Sequence, residues 1–428
     1  MKRYSKYKSS HFKWMGEIPE SWTLTKNRYG FIKSDNGSNT DESTPVLSLT
    51  TRGVKIKQNL DFGKSSESYI GHQLVEVGDV VFTPRDFDQT PILSDVSKYF
   101  GCISNLYIVD KTKDNVLNHF VNYYWYGLKY SVNYFKNFSH GMRFSFNRFQ
   151  FDEIPLLIPP LPEQHQIVHY LDEKTDLIDR LISIKERKIS LLKEQRTSLI
   201  NQVVTKGLNP NVKMKDSGVE WIGEIPEGWV VSKFKYVSEI VTGNTPSKTD
   251  GGDYYSEEGF LWIKPTNLKG DKYVNDSDEK LTELGKKQTR VIPKDSIMIC
   301  CIGNTIGKYG MSGQEVSTNQ QINSVIPNKS KISPWYCLYF VDVFTRDLLN
   351  RSNFVTLPIL TKSDLENIEI IIPSLEEQVC IVEKINSNTK EIDNMVQLEQ
   401  KKIDLLKEYR QSLISEVVTG KIKVTTDE

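Results

Sequence analysis

The chain carries no excess of either charge: 55 Lys and Arg balance 55 Asp and Glu over 428 residues. That excludes a protein that coats nucleic acid by bulk charge, but not one with a local basic face. Cysteine is scarce and unpatterned. Cys102, Cys300, Cys301, Cys337 and Cys380 form no C-x-x-C pair and are odd in number. A zinc ribbon and a disulfide framework are both disfavoured, and a reducing cytoplasm suits the five unpaired cysteines. No apolar run approaches the roughly 18 residues of a membrane span. Met1-Lys2-Arg3-Tyr4-Ser5-Lys6 is followed by no apolar leader. A cytoplasmic protein without a membrane partner is expected. Its length allows two or three domains, each with its own core.

What is present is a long internal repeat. Pro159-Pro160-Leu161-Pro162-Glu163-Gln164 recurs as Pro373-Ser374-Leu375-Glu376-Glu377-Gln378, and the offset of 214 holds without a gap to Thr205 and Thr419. Of these 47 aligned positions 22 are identical. A second match, at an offset of 207, relates Trp14-Met15-Gly16-Glu17-Ile18-Pro19-Glu20-Ser21-Trp22 to Trp221-Ile222-Gly223-Glu224-Ile225-Pro226-Glu227-Gly228-Trp229. Between these anchors the halves diverge. The organisation is variable 1–158, constant 159–206, variable 207–372, constant 373–428. Two copies of one frame carrying two different surfaces suit a reader better than a duplicated enzyme. An old duplication with drift is the plainer alternative.

The constant segments read as helices. Leu171, Thr175, Ile178, Ile182, Lys185, Ile189, Leu192, Arg196, Leu199 and Val203 alternate in steps of four and three. Ile385, Thr389, Ile392, Val396, Glu399, Ile403, Leu406, Arg410, Leu413 and Val417 repeat those steps. This is a heptad seam free of internal Gly or Pro. Prolines precede each run, and Gly207 and Gly420 follow them. Each helix would be ~65 Å long, and its apolar stripe needs a partner, most simply the other copy. The expected fold is α+β: two globular domains separated by two long antiparallel helices forming a coiled coil, with a pseudo-twofold repeat. In the middle of the seam Lys185 stands where the other copy has Glu399, so the two would attract across the pair.

The variable regions show short strands. Val80-Val81-Phe82, Leu106 to Val109, Ser296 to Ile299 and Asn323 to Ile326 are candidates, with turns at Gly78-Asp79 and Pro293-Lys294-Asp295. Tyr123-Tyr124-Trp125-Tyr126 suits a core better than a stacking platform. Loops rich in donors and cations offer Arg85, Arg143 and Arg148 in the first domain. The second offers Lys264, Thr266, Asn267, Asn304, Lys308, Asn319, Gln320 and Arg351. Arg grips guanine and Asn or Gln adenine with two hydrogen bonds, and Lys and Arg neutralise phosphates. Each is singly as consistent with an ordinary surface group.

Catalytic signatures fail at the decisive residues. No N-P-P-Y type methyltransferase motif occurs. Gly303-Asn304-Thr305-Ile306-Gly307-Lys308 is one residue short of a P-loop and is followed by Tyr309, so it reads as a strand turn. His165 and His169 lack the glutamate of H-E-x-x-H. Glu163-Gln164 recurs in the second copy without either histidine, as a helix start would. No resident metal or catalytic residue is expected.

Lys215-Asp216-Ser217-Gly218-Val219-Glu220-Trp221 through Trp229 resembles the proximal motif of type I restriction–modification specificity subunits. Ile158 to Gln164, with the L-L-K-E, S-L-I and V-V-T runs that follow, resembles their conserved helical region. Thr242-Gly243-Asn244-Thr245-Pro246-Ser247 resembles the T-G-x-T-P turn of their target recognition domains. In the first copy Ser9-Ser10-His11-Phe12-Lys13 replaces D-S-G-V-E, and no T-G-x-T-P turn follows. The resemblance implies a non-catalytic subunit whose two target recognition domains each read half of an asymmetric site in double-stranded DNA. The helices would set the spacer and dock two methyltransferase subunits, and through them restriction subunits. AdoMet, ATP and Mg²⁺ would belong to those partners. A coiled-coil adaptor with two protein-binding heads, or a subunit that has lost its partners, remains open at this point.

Overall fold

The computed structural model describes residues 2–424 except 52, 59–67, 86–91, 131–133, 136–144, 146, 248–252, 271–272 and 352–358. Of residues 349–351 it describes the backbone alone. The chain divides into two units, Met1–Arg187 with Glu399–Glu428, and Lys188–Leu398. Among the described residues no helix is long and apolar enough to cross a membrane.

Each unit contains the same small hairpin. Tyr7–Ser9 pairs antiparallel with Glu17–Pro19 in the first unit, and Met214–Asp216 pairs with Glu224–Pro226 in the second. A strand leaving the hairpin then pairs with the strand that leads into a long helix. Thr23–Lys26 lies against Pro155–Ile158, and Val230–Lys233 against Glu369–Ile372. The hairpins share an unusual turn. Gly218 has φ +72°, and His11, which replaces it, keeps the same left-handed turn at φ +62°. The first copy thus keeps the motif's shape without its glycine, in a region that glycine enters freely and other residues less often.

The first unit's main sheet runs in the order Phe31–Lys33, Ile108–Thr112, Val80–Phe82, Ser94–Val96, all antiparallel. The second unit's corresponding sheet runs Ser238–Thr242, Ile322–Pro327, Ile297–Cys300, Tyr309–Ser312, Tyr273–Val274. A further five-stranded sheet contains Phe260–Ile263 and Val316–Thr318. Asp295 (φ +69°) and Gly78 (φ +94°) occupy the turns before the central strands. The expected strands at 80–82, 296–299 and 323–326 are found within a residue or so. The one expected at 106–109 starts at Ile108, because Tyr107 N–H donates back to Ser104 and holds the preceding residues in a turn.

Both variable regions also contain a helix that periodicity left unseen, Asn118–Tyr130 and Pro334–Arg351. Each is buried on several faces, so no clean amphipathic period survives. Tyr124 and Trp125 are fully buried in the first and Tyr336 and Phe340 in the second. These aromatics anchor the two main cores.

The long helices are Leu161–Lys206 and Leu375–Val418. Each is stopped by a left-handed glycine, Gly207 (φ +74°) or Gly420 (φ +75°). Their first turns are fastened identically. Trp22 Nε1–H donates to Glu163 at 3.1 Å, and Trp229 Nε1–H to Glu377 at 2.9 Å. The fully buried Gln164 side chain donates to the Pro159 carbonyl and accepts from Leu117 N–H; Gln378 does the same with Pro373 and Ser333. Glu163-Gln164 is therefore a joint between the long helix and the globular part of its unit.

Candidate nucleic-acid interface

In the second unit, chain topology brings separate loops to one edge. Strands Ser238–Thr242, Phe260–Ile263, Ile297–Cys300 and Val316–Thr318 end there, and Ile322–Pro327 begins there. Backbone bonds stitch the loops together: Asn244 N–H to Thr318 O at 2.9 Å, Asn319 N–H to Ile263 O at 3.0 Å, and Cys301 N–H to Gln321 O at 2.8 Å. Gly243 is required for this closeness. A Cβ on it would lie 2.3 Å from the carbonyl oxygens of both Thr318 and Asn319.

The sequence candidates on this edge divide into two groups. Asn304 and Lys308 are exposed on the turn between Ile297–Cys300 and Tyr309–Ser312. Gln320 is exposed and accepts from the Thr245 hydroxyl. These three are presented outward. Asn267 and Asn319, by contrast, are buried. Asn267 accepts from Lys264 N–H and donates to Asp278, while Asn319 both accepts from and donates to Gln321. Both are among the candidates for DNA contact, and in this structure their amides shape the loops. Lys264 is held 2.5 Å from Glu279 and lies over the Trp262 ring. Thr266, exposed beside it, leans on Asp278 at 3.3 Å. Arg351 ends the helix Pro334–Arg351, and its side chain lies outside the described residues.

Sequence reading missed Arg290 here. Its side chain is exposed and donates to Thr242 O at 2.8 Å, while its backbone N–H donates to the Asn244 side chain. No local pattern marks it, because its position on this edge is set by residues some 46 to 48 positions away.

In the first unit Arg85 is exposed and its backbone bridges to Ser145, as Ile302 bridges to Ile359 in the second. Arg143 lies outside the described residues. Arg148, the third candidate of this unit, is bound within the fold. Its guanidinium donates to Asp110 at 2.6 Å and Asp152 at 2.9 Å and lies over the Phe151 ring. Asp110 pairs with Val80 in the sheet register where the second unit pairs Val325 with Ile297. An acidic residue thus sits at a core position, and burial pushes its carboxyl above the usual carboxylate range despite the guanidinium. Arg148 compensates that buried charge.

The seam residues face inward. Leu171, Ile178, Ile189, Leu192, Ile392, Ile403 and Leu413 are buried, and Ile182, Leu199, Val396 and Leu406 are half-buried. In the first unit Lys185 Nζ lies 2.9 Å from Glu399, and Arg410 lies 3.2 Å from Asp179. In the second unit Arg196 lies 3.2 Å from Asp393. The Arg–Asp pair therefore occurs in each unit with the roles of the two long helices exchanged.

The profile described as "Type I restriction modification DNA specificity domain" matches residues 63–194 and 226–408. The chain belongs to this family. Among specificity-family relatives, a Methanocaldococcus jannaschii protein provisionally named the type I restriction enzyme MjaX specificity subunit is 23% identical, over 98% of each chain. The MjaVIII specificity subunit of the same organism is 25% identical over 76% of this chain and 75% of its own. The fold matches a chain from a structural study of complex assembly and conformational transition of the type I R-M system, with a TM-score of 0.70 and 14% identity over 95% of this chain and 99% of that one. It also matches the HsdS subunit of Thermoanaerobacter tengcongensis, with a TM-score of 0.53 and 15% identity over 97% and 100%.

Proposed function

We propose that this chain is the DNA-reading subunit of a type I restriction–modification complex and has no catalytic centre of its own. Residues 1–158 and 207–372 are its target recognition domains. Each reads one half of an asymmetric, bipartite site in double-stranded DNA. Residues 159–206 and 373–428 form an antiparallel helical pair with pseudo-twofold symmetry, which fixes the unread spacer between the halves. The observation that carries this reading is the loop edge of the second unit. A rigid frame there presents Asn304, Lys308, Gln320 and Arg290, groups able to contact base edges and phosphates.

Two further features support the rest. The exchanged Arg–Asp pairs, with Lys185 against its own repeat equivalent Glu399, are what a twofold between the helices would produce. Each unit also leaves apolar helix residues exposed, Leu177, Leu181, Ile184, Leu405 and Tyr409 in the first and Leu191, Met395 and Leu398 in the second. Such surfaces suit the docking of two methyltransferase subunits, through which restriction subunits join. AdoMet, ATP and Mg²⁺ serve those subunits, and the assembly works in the cytoplasm.

The test is to co-express the chain with the methyltransferase encoded beside it and map N6-methyladenine by single-molecule sequencing. One asymmetric motif with a fixed gap, modified on both strands, is expected. Substituting Gln320 or Arg290 by Ala should relax one half of that motif and leave the other intact. Absence of any motif with a folded, bound methyltransferase would overturn the proposal.

A further inference from the structure

The first unit holds a cleft of about 660 Å³ that no part of the reading above uses. Its walls are the hairpin strand Gly53–Ile56, the residues Ile92–Asp95, the helix Asn118–Tyr130 and the two long helices. Lys55, Lys98, Lys129 and Arg410 line it, with Tyr126 and His119 between them. Lys55, Lys98 and His119 are exposed. Two carboxylates also line it, and both already accept hydrogen bonds from the protein: Asp95 from Val54 N–H at 2.8 Å and Asp172 from the Tyr123 hydroxyl at 2.6 Å. Arg410 is held by Asp179 and by the Tyr126 hydroxyl, so the cations offered to a ligand are the exposed Lys55 and Lys98.

We propose that this cleft binds the sugar–phosphate backbone of DNA beside the half-site read by the first domain, an inference that rests on the DNA-reading function above. Lys55 and Lys98 are exposed and in no ion pair among the described residues, so the cleft offers two ammoniums to a polyanion. The tyrosine and Asn122 side chains add hydrogen-bonding groups suited to phosphate oxygens. Continuity with the reading loop favours nucleic acid over an acidic peptide. Thr83 N–H donates to Leu93 O at 2.8 Å, so the wall at 92–95 is joined directly to the loop that carries Arg85. At about 660 Å³ the cleft is the size of a nucleotide or two and far smaller than a duplex segment. It therefore acts as a positioning contact and is blind to base sequence.

The experiment measures duplex affinity as a function of salt for the full chain in complex with its methyltransferase. Each phosphate neutralised contributes about 0.9 to the slope of log K against log salt. The double variant Lys55→Ala/Lys98→Ala should lower that slope by about 1.8 and leave the methylated motif unchanged. An unchanged slope overturns the cleft assignment while leaving the DNA-reading function in place. Failure of the wild-type complex to bind any sequence selectively sinks the DNA-reading function itself. Independently of any variant, duplex should protect Lys55 and Lys98 of the wild-type complex from acetylation. Protection by inorganic phosphate or polyglutamate, but not by duplex, overturns the assignment.

Discussion

The ammonium of Lys185 lies 2.9 Å from the carboxylate of Glu399, and the two residues are equivalent positions of the internal repeat. A position that meets its own equivalent is where two identical helices would place like charges together. Here the copies have diverged to opposite charge, and Lys402 adds a second contact to Glu399 at 3.1 Å. Glu399 is buried, so its partner matters more than in a surface pair. Lys185→Glu should destabilise the first unit by on the order of 2 kcal/mol, less than a fully buried pair would lose because Lys402 remains. The exchange Lys185→Glu/Glu399→Lys should recover most of it. Thermal unfolding at low and high salt checks both; equal midpoints for wild type and the single variant would refute the idea.

Arg148 compensates Asp110 inside the fold, so its loss should be read in stability. The Asp110 side chain is 2% exposed and that of Arg148 36%. Arg148→Ala should cost about 3 kcal/mol at neutral pH, the lower end for a buried pair because the cation is partly solvated. The pH dependence has a definite sign. Burial raises the Asp110 pKa, so its folded-state preference for the proton favours the native protein below the ordinary carboxylate range. That contribution is lost as pH rises through the raised value. Removing Arg148 raises the pKa further, so the variant's penalty should shrink as pH falls through the carboxylate range. A pH-independent penalty would mean that Asp110 is not the group left unpaired.

His11 supports a left-handed turn that the second copy builds with Gly218. His11→Gly should therefore stabilise the first unit by up to about 1 kcal/mol, since a non-glycine residue there carries a strain cost of that order. Gly218→His, the converse change, should destabilise the second unit by a similar amount. Chemical denaturation of both variants would show opposite shifts; shifts of the same sign would place the effect elsewhere.

Four of the five cysteines are buried and Cys380 is exposed. Burial pushes the Cys301 thiol up to about 12, so at neutral pH it holds almost no reactive thiolate. The native chain should release about one equivalent of thionitrobenzoate quickly with Ellman's reagent, and the remainder only on unfolding. Cys380→Ser should abolish the fast phase.

Sequence alone determined the repeat, the long helices and the hairpin motifs, because each is a local pattern. Heptad steps, a preceding proline and a terminal glycine define a helix within a few turns. The Trp and Glu-Gln motifs were legible as recurring, though not what they do. That Trp22 fastens Glu163, and Gln164 fastens Leu117, depends on strands that pair across more than a hundred residues. The candidate interface was legible only as a composition of loops. Asn267 and Asn319 resemble Gln320 in sequence, yet two are buried and one is exposed: backbone donors two or three residues away in their own loops claim the first two amide oxygens, and Asp278 accepts from Asn267. Arg290 is placed on the second unit's edge by its bonds to Thr242 and Asn244, and Arg148 in the first unit is bound by Asp110 and Asp152. A polar side chain's role is set by which buried or exposed partner the tertiary structure puts within 3 Å, and no periodicity encodes that.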